Sequence, residues 1–481
     1  MKKKFLSNLA LLLFLNLLIK PFWFFGIEVA VQNRVGEEMY GFYFSLFNFA
    51  FILNILLDSG ITNFNNRNIA RHPDRLRESL AQIVPLKFIL AIVYAGIVFI
   101  TGWIIGYNQV QFKMLVILAL NQFLASMILY MRSNISGLQL FRTDSLLSVL
   151  DRTLMILITG VLLWSNLFQE PFRIEWFVYA QSASYILTLG VVTLLVLKRS
   201  GTLTLSWKRA HLKNILRQSY PFAILILLMA FFNRADSVMI ERLLPDGKAE
   251  AGIYAQSFRV LDAVSQFSLL FAGLLLPMFS RMLKTGEHTR DLVRMAAGIL
   301  LSVSIGVAIA GHFYKTDIIT LLYHRVERHS DRIFGYLMIS YVFIATSYIY
   351  GTLLTANRNL KQLNILALIT VILNISLNLV LIPEFKALGA AWASMISQGF
   401  YAVSQVVTAH RTLRLPLPKS FILQLLFFTM SSFAAGYAIR GFLDNRWLGF
   451  LLLCFILAAL ALLLRLINLR EIRDTLLYEE S

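Results

Sequence analysis

One cysteine, Cys454, stands in a chain of 481 residues, which removes every intrachain disulfide, C-x-x-C redox pair and cysteine-based zinc site from consideration. Charge is scarce as well. Only 15% of the residues are charged and 58% are apolar, against about 25% and about 45–50% in ordinary soluble domains. Phe occurs 38 times and Pro 10 times, and the mean hydropathy is +0.69. A water-surrounded core cannot absorb that much apolar surface, so soluble globular, disordered and disulfide-scaffold classes are excluded. Catalytic signatures are missing too. The sequence contains no G-x-x-x-x-G-K-[ST], no H-E-x-x-H and no G-x-S-x-G. The seven histidines are scattered through loops and span edges, and the connections carry no acidic cluster for a transferase. No catalytic residue, metal site or cofactor is expected, and the chain reads as a non-enzyme.

What the chain has in quantity is long apolar runs. A membrane-crossing helix needs about 20 such residues. Fourteen runs qualify, at roughly 6–28, 41–63, 83–106, 112–136, 144–165, 175–197, 219–240, 252–279, 293–314, 334–356, 362–383, 388–410, 420–440 and 447–467. They are continuous rather than alternating, which excludes a membrane β-barrel. The expected fold is an all-α integral membrane protein of about fourteen transmembrane helices. Lys2, Lys3 and Lys4 precede the first run as in a signal peptide. No small-residue cleavage site follows, so the run reads as an uncleaved first span.

The formal net charge is +18. With the chain starting inside, loops such as 67–77 and 198–217 fall on the cytoplasmic side and hold most of the Lys and Arg, as the positive-inside rule requires. Topology and attraction to anionic headgroups account for this charge, with no nucleic acid partner needed. The loop 315–332, with Arg325, Arg328 and Arg332, is discordant because it falls outside.

Charges within spans need another reason. An ionised side chain near a helix centre costs about 2.5–3.5 kcal/mol on the insertion scale and marks a partner or a water-filled path. Lys20 lies past the middle of the first span beside Pro21, and has no acidic residue at helical spacing before it. Asp151 and Arg152 lie in the fifth span, Arg234 and Asp236 in the seventh, Arg259 and Asp262 in the eighth, and Asp58 in the second. Lys87 and Lys113 read as span-end lysines that snorkel to the interface. Gln256, Arg259, Asp262 and Gln266 form one stripe at helical spacing, as do Asn54, Asp58 and Thr62. Thr370, Asn374 and Asn378 make a third, read as interhelical hydrogen-bond glue. The carboxylates are either coupling sites or members of internal salt bridges; the residues alone leave both readings open.

Pro21-Phe22 and Asn33-Arg34 recur as Pro221-Phe222 and Asn233-Arg234 at the same internal spacing. Gly41-Phe42-Tyr43 and Gly252-Ile253-Tyr254 then open the next span in each copy. This suggests two six-helix lobes, 1–200 and 201–411, followed by two further helices and a tail over 412–481, a common transporter plan.

At these residues the chain resembles the polysaccharide exporters of the multidrug/oligosaccharidyl-lipid/polysaccharide superfamily. The similarity runs through 36–43, Asp58-Ser59-Gly60 and 67–71, then Arg234-Ala235-Asp236, Gly252-Ile253-Tyr254 and Leu276-Pro277. It is most specific at Asn374, Asn378, Leu381-Ile382-Pro383 and 389–394. The resemblance implies a flippase that moves undecaprenyl-diphosphate-linked oligosaccharide, such as an O-antigen, capsule or exopolysaccharide unit, from the cytoplasmic to the periplasmic leaflet of the bacterial inner membrane. Lys20, Arg152, Arg234 and Arg259 would offer charge-assisted hydrogen bonds to the diphosphate within a cavity. Asp58, Asp151, Asp236 and Asp262 would be the coupling or salt-bridge carboxylates. Coupling would be to protons, sodium or membrane potential, and the partners would be membrane lipids, a polysaccharide polymerase and glycosyltransferases. The alternatives are a cation-coupled multidrug exporter of the same superfamily and a noncatalytic scaffold for polysaccharide synthesis. Both termini are expected in the cytoplasm, so reporters fused after Lys4 and after Ser481 should both read cytoplasmic; a periplasmic carboxy terminus would refute the even span count.

Overall fold

A computed structural model describes residues 14–165 except 17, 170–200, 209–413 except 328, and 419–468. Lys2, Lys3 and Lys4, part of the basic loop 198–217, Arg328 and the tail beyond 468 lie outside the described residues. All regular structure among the described residues is helical. The helices are α1 (Phe14–Val35), α2 (Glu37–Ile52), α3 (Ile61–Arg71), α4 (Leu76–Ile105), α5 (Gln109–Gly137), α6 (Phe141–Trp164) and α7 (Ile174–Ser200). They continue with α8 (Arg209–Leu243), α9 (Gly247–Thr285), α10 (Arg290–Leu322), α11 (Ser330–Ala356), α12 (Leu360–Leu413), α13 (Lys419–Phe442) and α14 (Arg446–Leu463). Twelve helices are long and apolar enough to cross a membrane, and the bent α2–α3 pair makes a thirteenth span. At about 1.5 Å per residue the 54-residue α12 is about 80 Å long, well over twice the hydrocarbon thickness. It holds two of the expected spans, divided near Pro383 and Lys386, whose φ of +53° breaks the helical path. Counted so, by length and composition, the described residues hold up to fourteen candidate crossings. Their outward faces are those of a lipid-solvated protein: Ile92 in mid-span is 72% exposed and Phe455 71%.

Contacts within the chain divide it into two compact units, Met1–Gly252 and Ile253–Ser481. In the first, α1 carries a π-helical turn over Trp23–Glu28, directly after Pro21. Proline withholds a backbone donor, and the ladder re-forms with a wider register. Gly36, at φ +83°, separates α1 from α2, whose first turn holds Glu37 and Glu38 where the helix dipole favours acids. Gly106, at φ +84°, closes α4, and Asn108 opens α5 through a reciprocal capping box with Gln111. Hydrogen bonds between polar side chains tie the helices of this unit together. Asn65 donates to Ser133 Oγ and Asn134 Oδ1 at 2.8 and 2.9 Å, and Ser182 donates to Asn121 Oδ1 at 2.7 Å.

The repeated glycines meet. A β-carbon on Gly41 would lie 1.9 Å from the Lys248 carbonyl oxygen, and one on Gly252 would lie 2.1 Å from that of Glu37. Each obstructing carbonyl stands four residues before the other glycine, so the first turns of α2 and α9 press backbone to backbone in a reciprocal contact. Gln32 Nε2 adds a 2.8 Å hydrogen bond to the Gly252 carbonyl.

In the second unit the last two helices pack on α10. Gly436 and Gly449 leave room for Phe313 and Tyr314, where β-carbons would come within 2.4 and 2.6 Å of those rings' atoms. Buried Asp317 accepts from Arg440 and Arg446, both at 2.8 Å. Lys315, expected in the loop 315–332, lies instead in the last turns of α10 and pairs with Asp331 at 3.4 Å, so part of that segment's positive charge is balanced locally.

The glycine contact yields a stability prediction. Gly41→Ala or Gly252→Ala should each destabilise by about 1–3 kcal/mol through overpacking, read as a lower melting temperature of detergent-solubilised protein. Gly96→Ala, where nothing lies within 4 Å, should leave it unchanged.

Candidate functional site

The strongest cluster of intramembrane charge is built in the first unit from α1, α6 and α7. Lys20 and Trp23 are three residues apart on α1, so both project from the same side. The Trp23 ring stacks on Phe177 of α7 at 5.7 Å, and its Nε1 donates to Glu28 Oε1 at 3.1 Å across the π-turn. Over the same indole lies the Arg152 guanidinium of α6, 5.5 Å from the ring centroid. Arg152 also donates to Met155 Sδ at 3.2 Å and to the Tyr185 hydroxyl of α7 at 3.5 Å. Its distance to Asp151 is 3.9 Å, the loose limit of an ion pair. Lys20 lies within electrostatic reach of Arg152 and of Asp151, and Glu28 within reach of Arg152. Both cations are half-buried rather than sealed. Asn16 Nδ2 donates to Ser148 Oγ at 3.1 Å and fixes α1 against α6. The result is a half-buried cluster of two cations, in which Arg152 is held by an aromatic face and a phenol with Asp151 at the limit of ion pairing.

No acidic residue stands at helical spacing before Lys20 on α1; the acid whose charge reaches it, Asp151, belongs to α6, a relation that spacing along α1 cannot show. Arg234 has its own surroundings on α2, with Asn48 Oδ1 3.5 Å from its Nη1 and the Phe51 ring centroid 5.1 Å away. Its neighbour Asp236 is wholly buried. Arg259 lies in the second unit, 5% exposed, with Asp262 at 4.0 Å one turn along. Gln256 of the same stripe donates from Nε2 to the Arg325 carbonyl at 3.2 Å. Thr370, Asn374 and Asn378 are fully buried, and Asn378 donates to Asn374 at 3.2 Å.

The second span departs furthest from expectation. Asn54, Asp58 and Thr62 do not share one helical face, because the chain leaves the helix between α2 and α3 and turns by 48°. Ser59 and Gly60 take φ of +44° and +82°. Asn54 instead points Nδ2 at Gln122 Oε1, 3.5 Å away, while Asp58 accepts from the Thr62 hydroxyl. Lys87 does not snorkel. It is 1% exposed and bonds Asp58 Oδ1 at 2.6 Å. α4 begins at Leu76, which places Lys87 three turns inside the helix rather than at its end. The helix-breaking triplet Asp58-Ser59-Gly60 in an apolar run was the signal for this pair. Trp23 and Tyr185 carry no mark in the sequence, since aromatic residues in a membrane sequence have no distinguishing pattern, whereas Glu28 stands two turns after Lys20 on a similar face. Among the described residues no group of three His, Cys, Asp or Glu side chains could hold a metal ion.

This architecture defines an all-helical, multi-span membrane protein. Its fold is similar to that of the lipid II flippase MurJ in an inward closed conformation, at a TM-score of 0.70 and 15% identity, covering 96% of this chain and 99% of that one. An inward-facing multidrug resistance transporter of the MATE family, in the MOP superfamily, matches at 0.59 and 14%, over 83% of this chain and 94% of that one. A MOP superfamily transporter from Pyrococcus furiosus matches at 0.59 and 16%, over 86% and 96%. No curated protein matches in sequence. The profile of the polysaccharide biosynthesis protein family matches residues 5–283, and the chain belongs to that family.

The half-buried setting of Lys20 and Arg152 predicts selective access to water. With Cys454 replaced by serine, Lys20→Cys and Arg152→Cys should react with a membrane-impermeant maleimide in unsealed membranes. The lipid-facing Ile92→Cys should not, because hydrocarbon does not support the reactive thiolate.

Proposed function

We propose that this protein is a flippase for undecaprenyl-diphosphate-linked oligosaccharide, carrying it from the cytoplasmic to the periplasmic leaflet of the bacterial inner membrane by alternating access. The observation that carries the reading is the Lys20–Arg152 pair. Two cations from different spans stand in a half-buried setting, and the nearest carboxylate to Arg152 is at the loose limit of ion pairing. A diphosphate approaching this cluster would offer shorter, charge-assisted hydrogen bonds than Asp151 does. The Trp23 face behind Arg152 would keep the guanidinium oriented when the anion leaves. Membership in a polysaccharide biosynthesis family supports the sugar-bearing headgroup. An inside-negative potential favours outward movement of an anion by about 2.3 kcal/mol per charge per 100 mV. Arg234 and Arg259 would serve the same cargo, and the partners would be the polymerase and glycosyltransferases on either side of the transport step. Like charges in the cluster disfavour cationic drugs as cargo.

The test is flipping of a defined undecaprenyl-diphosphate oligosaccharide in proteoliposomes. Lys20→Met and Arg152→Gln should each insert and accumulate normally yet lower the rate about tenfold or more, the scale of a lost hydrogen bond between charged groups. Lys20→Arg should keep partial activity, since the charge stays while its geometry changes. Wild-type flipping by a well-folded Lys20→Met/Arg152→Gln double variant would overturn the cargo role. For Arg259, a merely structural pairing predicts lower yield in Arg259→Gln and recovery in Arg259→Gln/Asp262→Asn.

A further inference from the structure

The Lys87 ammonium sits in a setting that the flippase reading does not use. Its three N–H donors have three oxygen acceptors: the Leu57 carbonyl at 3.0 Å, Asp58 Oδ1 at 2.6 Å and Ser126 Oγ at 3.0 Å. The Leu57 carbonyl is available because the span is broken. The Ile61 N–H, its partner in an uninterrupted helix, bonds the Asp58 carbonyl at 2.8 Å instead. Ser126 donates its own proton to the same Leu57 oxygen at 3.2 Å, which leaves its lone pairs facing the ammonium. The Asp58 carboxylate is held from behind by the Thr62 hydroxyl and backbone N–H. The Tyr130 ring face lies 5.8 Å from the charge. That ring belongs to a buried apolar cluster with Ile61, Ile83, Leu86 and Met127.

A carbonyl freed by a helix break, one carboxylate and one hydroxyl, arranged about a single positive centre inside an apolar shell, are the ligands of a monovalent metal cation. Unwound carbonyls beside broken helices hold such ions in membrane transporters in general. An ammonium group is close to potassium in size, and the oxygen distances here suit that ion. We infer that the Leu57–Asp58–Ser126 cage is a monovalent-cation site whose cation is supplied by the chain itself, as the Lys87 side chain. A tethered cation cannot leave during a transport cycle. The cage therefore holds the break in the second span in one shape without exchanging ions, and no cation gradient is coupled through it.

The inference is independent of cargo and is tested without a transport assay. Purified full-length protein is melted in potassium, sodium or choline chloride at equal ionic strength. The wild type should melt at one temperature in all three. Lys87→Ala removes the tether and leaves room for an ion. It should melt several degrees higher in potassium than in choline, saturably, with sodium weaker, and the difference should vanish in Lys87→Ala/Asp58→Asn. Lys87→Ser, which leaves a hydroxyl for the carbonyl, is the second variant and should respond in the same direction. Equal melting of both variants in all three salts overturns the inference, as does a cation response of wild type that Asp58→Asn abolishes. Failure of both variants to accumulate in cells also overturns it. The cytoplasm supplies potassium in abundance, and a cage able to take a free cation would be filled there.

Discussion

Hydrocarbon offers no hydrogen bond to a peptide group, so every interruption of a helix in this protein has to be answered from within the chain. That requirement shapes the places where the fold departs from straight rods. After Pro21 the backbone answers by widening to a π-turn, with Trp23 and Glu28 joined across it. Between α2 and α3 the answer is a side chain, Lys87, delivered from α4 to the orphaned Leu57 carbonyl. Charge and backbone geometry are thus coupled. Two of the ionised groups that a membrane protein is expected to avoid, Lys20 and Asp58, lie beside such interruptions.

The apolar runs were enough to place the spans, because a period of length and hydropathy survives in any sequence that must cross a bilayer. They also located the charges Lys20, Asp58, Arg152, Arg234 and Arg259. What they could not provide was pairing. Lys87 looked like a span-end lysine because the apolar stretch around it begins near 83, whereas the helix begins at Leu76. Asp58 looked like a member of a stripe because spacing assumes an unbroken helix, and Ser59 and Gly60, both at positive φ, end that assumption. Asp151 reaches Lys20 across a helix–helix boundary, a relation invisible to spacing along one strand of sequence. The glycines at 41 and 252 were read as repeat markers; their mutual approach gives that repetition a steric cause, since neither backbone could come so close with a side chain present.

The two kinds of buried cation in the first unit contrast in a way that bears on their use. Lys87 has its donors matched one for one by fixed oxygens and is almost fully sealed. Arg152 rests on an aromatic face and a phenol, with its carboxylate at arm's length. The first arrangement suits a permanent structural charge. The second leaves hydrogen-bonding capacity for an anion that comes and goes, which is why the transport reading rests on Arg152 and Lys20.

Asp317 has a bearing on the order in which the molecule can be completed. Its two arginine partners, Arg440 and Arg446, follow it by 123 and 129 residues. During synthesis the carboxylate therefore enters the membrane long before either cation exists. Until α13 and α14 emerge and dock, Asp317 lacks both arginines, and Phe313 and Tyr314 of α10 lack the glycines that receive them. The last two helices thus act as a late-arriving clasp: a chain that ends before residue 440 has α10 in place with both partners of Asp317 missing.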